Sequence, residues 1–245
     1  MKKYFLAVAS FFIYSHISLG QVYPGQMDST FVPVRSHHYD PELTLDFCVN
    51  EPAWSNQAGI HSAFGSTDRL YFRKEVPVNH DNDLSSSYST TVWRGERANA
   101  QILVWSSEAL EQVRVSTQDL RSAEGNIIPK DRITFELVRY VLSNYPYAEK
   151  KAICGESPYK SGFLMPDRFE TLDRFDLPSQ TTRPVWMMAD VPRGTAPGTY
   201  KGQVEVRAKG KAPQLLNLEI VVQNQLLPYP KDWKYRLDLW QNPWA

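Results

Sequence analysis

Four carboxylates crowd one short run of the chain: Asp167, Glu170, Asp173 and Asp176 all fall within PDRFETLDRFDL. Hydrolysis of a glycosidic bond needs two Asp or Glu side chains facing one another, and such pairs keep no fixed spacing in sequence. Arginines and aromatic residues stand beside most of these acids, so ion pairing on a surface is the expected use of the run. His37, His38 and Asp40 hint at a metal site, but no third histidine lies near, and an exposed polar arm is expected. Asp81 and Asp83 in HDNDLSSS alternate as calcium ligands do. The glycine and distal glutamate of an EF-hand loop are missing there, so a solvated turn is expected. No G-x-S-x-G elbow serves His61 or His80, and no glycine-rich phosphate cradle occurs.

Aromatic rings offer a different chemistry, stacking on the faces of sugar rings. Trp54, Trp93, Trp105 and Trp186 come into question. Trp105 and Trp186 sit inside strand-like runs (QILVW and PVWMMADV), where burial in a core is the default. Trp54, in NEPAWSNQ, reads as an exposed loop residue and is the candidate sugar-binding side chain. The two cysteines, Cys48 and Cys154, either form one disulfide or remain as two buried thiols, and their spacing matches no zinc site.

The residues around these groups set a compartment and a class. MKK, then the apolar YFLAVASFFIY, then Ser18 and Gly20 make a secretory leader over residues 1–20, with cleavage before Gln21. The chain is therefore expected in the periplasm or outside the cell, with no membrane attachment after cleavage. The 27 basic and 27 acidic side chains cancel, which argues against a nucleic-acid partner. No cofactor is expected.

Along the chain, apolar residues recur with period 2. RITFELVRYVL, GQVEVRA and LLNLEIVV alternate cleanly, and LTLDFCV, RLYFRKEVPV, SYSTTVW, NAQILVW and QVRVSTQDL do so less cleanly. Turn residues separate them, as in HDND, AEGN, RGTAPG and KGKAP. Only SSEALEQV suggests a helical turn. The expected fold is an all-β antiparallel sandwich over residues 21–227, with SNYPYAEKKAICGESPYKSGFLMPDRF as a long Tyr-, Pro- and Lys-rich insertion on its surface. Pro228 and Pro230 then read as a linker, and YRLDLW as a strand opening a further domain over residues 228–245.

Several runs together resemble a known family. TTVWRGERANAQILVWSS, ICGE and RPVWMMADVPRGTAPGTYKGQVEV are similar, in that order, to the N-terminal β-sandwich domain of glycoside hydrolase family 123-like proteins. In the last run, Pro197-Gly198 would make a turn, Tyr200 would pack beside it, and Gly202 would let the hairpin partner approach. The resemblance implies a partner, a (β/α)8 catalytic barrel following the sandwich, with YRLDLWQNPWA resembling its first strand. It implies a parent activity like that of an exo-β-N-acetylgalactosaminidase, which uses an Asp-Glu pair in the barrel. No Asp-Glu dipeptide occurs in this sequence, so no catalytic residue carries over. The resemblance therefore implies a non-catalytic accessory domain, truncated before its barrel; a carbohydrate-binding module is the alternative.

Overall fold

The computed structural model describes residues 51–77, 84–143 and 163–234. The leader, His37, His38, Asp40, the LTLDFCV run with Cys48, Cys154, the 80–83 run, residues 144–162 of the long insertion and the YRLDLW strand lie outside those residues.

Among the described residues, twelve strands and one short α-helix make an all-β sandwich. The helix α1 is Glu51–Trp54, and the strands are β1 His61–Gly65, β2 Ser87–Arg94, β3 Arg97–Ser106, β4 Leu110–Thr117, β5 Leu120–Arg121 and β6 Ile127–Ile128. They continue with β7 Ile133–Ser143, β8 Phe163–Thr171, β9 Phe175–Leu177, β10 Thr181–Asp190, β11 Gly198–Arg207 and β12 Gln214–Leu226. One sheet has five strands in the order β1-β3-β10-β7-β8. The other runs β2-β12-β11-β4-β9, with β5 and β6 attached through β11. Pairing is antiparallel except between β12 and β2, which are parallel.

Alternation decides which residues meet between the sheets. From the five-stranded sheet come Ala98, Ala100, Ile102 and Val104 of β3, with Val185, Met187 and Ala189 of β10; Leu216, Leu218, Ile220 and Val222 of β12 meet them from the other side. Each large apolar side chain so buried contributes about 1.5–3 kcal/mol. Gly202 belongs to this packing, because a Cβ there would stand 2.4 Å from Leu120 Cδ2. The neighbour it admits is thus β5, rather than its hairpin partner β12. Tyr200 is fully buried, and its hydroxyl donates to Ala196 O across the turn at 2.7 Å. Burial, and then the charge of Glu124, push that phenol above its usual range.

Three elements differ from the sequence expectation. FLMPDRF, expected in the insertion, belongs to β8, because its backbone pairs antiparallel with β7. SSEALEQV holds no helix: Ser106 ends β3 and Leu110 opens β4. The i, i+3 spacing of Leu110 and Val113 comes from a register shift between them, with Gln112 at φ 53. A β-bulge thus imitates a helical turn. RLYFRKEVPV is not a strand either. Residues 66–77 form a strap across the outer face of the five-stranded sheet, with Tyr71 and Arg73 buried. The period-2 pattern is real, but groups of the sheet, mostly side chains, take the place of a ladder. Gln101 Nε2 donates to Arg69 O at 3.2 Å, Tyr140 Oη to Tyr71 O at 2.8 Å, Thr182 N to Arg73 O at 2.8 Å, and Thr182 Oγ1 to Glu75 O at 2.7 Å.

Candidate functional site

The four carboxylates do not converge. Glu170 pairs with Arg139 in a half-buried contact, and Asp173 meets Arg114 Nη2 at 2.8 Å. Asp176 accepts the bulged Gln112 N–H at 2.8 Å, and Asp167 is exposed. Three of the four acids therefore hold backbone or basic side chains in place, as ion pairing predicted for the run. Among the described residues, no group of three His, Cys, Asp or Glu side chains is placed to hold a metal ion.

Trp54 is not the exposed side chain its polar surroundings suggested. It ends α1 with 1% of its surface exposed, and its Nε1 donates to Lys74 O at 3.3 Å. The strap folds back over it, a long-range contact invisible in NEPAWSNQ, and a ring so covered offers no face to a sugar. Trp105 and Trp186 are corrected the other way. Both sit partly exposed on the outer face of the five-stranded sheet: Trp105 stacks on His61 at 5.6 Å, and Trp186 Nε1 donates to Asn99 Oδ1 at 3.3 Å.

The other constellation is the corner where the chain leaves the sandwich. Gly95, at φ +85, turns β2 into β3, and a Cβ there would lie 2.8 Å from Arg193 Cγ. Only glycine combines that conformation with that approach. Arg193 spans the corner: its guanidinium carbon lies 4.0 Å from the Tyr229 ring centroid, and Nη1 donates to Leu227 O. Leu227 N donates to Arg94 O at 2.9 Å, and Arg94 Nε to Asn224 O at 3.1 Å. The segment after β12 is therefore tied to the body as far as the 3-10 turn Pro230–Asp232. Around this corner Trp93, Leu226 and Tyr229 are exposed, Tyr229 by 53%. Sequence reasoning read Pro228 and Pro230 as a linker and missed Gly95 and Arg193, whose pairing depends on strands far apart in the chain.

Such a molecule is a two-sheet sandwich module whose exit segment is fastened to its body. By the family model for the glycoside hydrolase 123 N-terminal domain, which matches residues 64–208, the chain belongs to that family. β12 lies beyond the match yet pairs between β2 and β11 within the same sheet. A solved family 123 glycoside hydrolase from Clostridium perfringens, described in connection with glycolipid glycan hydrolysis, is similar in fold, with TM-score 0.58 at 20% identity. The match covers 71% of this chain and 29% of that one, so the chain spans well under half of that enzyme's length. A PapD-like domain of human CEP192 scores 0.35 at 12% identity over 76% of this chain and 99% of its own. The periplasmic chaperone SfaE scores 0.30 at 10% identity over 60% and 59%. No curated protein matches the chain.

Proposed function

We propose that this sandwich is the non-catalytic N-terminal module of an exported glycoside-hydrolase-like protein, and that it buttresses a catalytic barrel following residue 234. The observation that carries the reading is the fastened exit. A flexible tether leaves two domains free to rotate, whereas Arg193, Arg94 and Leu227 hold this segment in one direction. The exposed Trp93, Leu226 and Tyr229 lie where a following domain would rest. Family membership supports the pairing with a glycoside hydrolase domain. The parent activity is proposed to resemble that of an exo-β-N-acetylgalactosaminidase, with its acid–base pair outside this sandwich.

Two measurements test this. Purified chain mixed with 4-nitrophenyl N-acetyl-β-galactosaminide should release no 4-nitrophenol, and release would overturn the non-catalytic reading. Joined to a family barrel, the sandwich should melt with it in one transition that Trp93→Ala lowers. Two independent transitions, both indifferent to Trp93→Ala, would overturn the buttress.

A further inference from the structure

Strand β8 carries its polarity the wrong way round. Opposite Leu137, a core residue, stands Glu170, whereas Phe169 stands opposite Val138 on the outer face and is 49% exposed. A slip of one residue would exchange them, burying the ring and freeing the acid. The chain holds the costlier arrangement by two devices. Asp167 is the extra residue at a bulge between the Arg139 and Tyr140 pairings, and Arg139 neutralises Glu170. A local rule broken and then compensated marks a surface kept for use.

The exposed ring is not alone. Phe169 and Trp186 lie 5.7 Å apart at 36°, a shallow aromatic angle, and Asn99 fixes the indole through Nε1. On one side of Trp186, in cross-strand register, is Gln101, whose amide is held by the strap carbonyls of Ser66 and Arg69. On the other side is Glu136, which pairs across to Thr171. The Glu136 carboxylate makes no hydrogen bond or ion pair with the described residues. Beyond it, Arg97 and Asp190 cancel one another at 2.7 Å.

We propose that this notch binds a neutral pyranoside, with Phe169 and Trp186 under the C–H face of the ring and Glu136 accepting its hydroxyl protons. The negative faces of aromatic rings attract the C–H bonds that sugar oxygens polarise, and a carboxylate is the strongest neutral-hydroxyl acceptor a side chain offers. Charge selects the ligand class: the uncompensated group beside the rings is acidic, which disfavours anionic glycans and nucleic acids. The proposal is independent of the buttress reading, since the notch and the exit corner share no residue.

The full chain titrated with methyl N-acetyl-β-galactosaminide and methyl β-glucoside, followed by the Trp186 indole N–H resonance (assigned with Trp186→Phe), tests it. At least one sugar should shift that signal with a Kd of roughly 1–10 mM, while heparin should not compete. Phe169→Ala should weaken binding about tenfold or more, and Glu136→Gln about threefold, whereas Trp93→Ala should change nothing. Glu136→Gln is nearly isosteric, so it answers even where Phe169→Ala fails to fold. No shift up to about 50 mM of either sugar, far above a millimolar Kd, would overturn the proposal. So would binding unchanged in both notch variants, or self-association of the chain that Phe169→Ala abolishes.

Discussion

The outer face of the five-stranded sheet is finished in two ways. Where the strap crosses it, polar groups are buried and matched: Gln101, Tyr140 and Thr182 each reach a strap carbonyl. A few residues further along the same strands, Trp186 and Phe169 lie open with a carboxylate beside them. Strand chemistry does not distinguish the halves, because β10 runs through both. What differs is the cover. Under the strap Gln101, Tyr140 and Thr182 each have an assigned neighbour, so the loss of one is a loss of stability. In the open half the side chains support nothing above them, so their loss should spare the fold and cost only what they bind.

The strongest way to break that contrast is to remove what the strap rests on. Trp54→Ala deletes a fully buried indole and the donor to Lys74 O, and should cost about 3–5 kcal/mol, the range for large-to-small changes of aromatic core residues. Urea unfolding of the purified chain measures it. A loss below about 1 kcal/mol would mean that the strap is held without its anchor.

Tyr140→Phe is the finer cut. Its hydroxyl proton is shared between Tyr71 O at 2.8 Å and Thr182 O at 3.1 Å, so the variant removes the one donor that serves both while keeping the ring. A loss of about 1–3 kcal/mol is expected. Faster amide exchange across residues 66–77 should accompany it, with the seven-stranded sheet unaffected. Phe169→Ala, from the open half, should change stability by less than about 0.5 kcal/mol while weakening sugar binding. If the two variants cost the same, the halves are not functionally distinct.

These regions also differ in how far the sequence disclosed them. Strands β7, β11 and β12 were legible, because a long alternation of apolar and polar residues suits a half-buried strand and does not suit a helix. The strap was misread for a physical reason: Tyr71 and Arg73 alternate like strand residues, but their carbonyls are satisfied from the sheet beneath. Leu110 and Val113 looked helical because a bulge hid one residue of spacing. Trp54 looked exposed because what buries it lies twenty positions on. The run PDRFETLDRFDL drew notice for its acids, which turn out to be mostly structural. Phe169, between two of them, was passed over, since nothing local says that β8 turns its acid toward the core.

The smallest effect belongs to the solvated face of the seven-stranded sheet. Lys201 and Glu219 stand directly opposite in β11 and β12, 3.1 Å apart, and Ser89 Oγ adds a hydrogen bond to Glu219 at 3.0 Å. The Lys201 hydrogen bond first, and then that of Ser89, hold the Glu219 carboxyl below its ordinary value of 4.5. A depressed carboxyl stabilises the fold above its unfolded value, and the gain is lost as pH falls through the folded one. Glu219→Gln should therefore fall slightly behind the parent chain at neutral pH, the deficit shrinking below pH 4.5 and vanishing only once the folded carboxyl is protonated. High salt should erase the difference, because exposed pairs are screened. The Tyr140 hydrogen bonds, buried and made between neutral groups, should ignore the same salt, and a salt-sensitive Tyr140→Phe deficit would remove the distinction between covered and open surface.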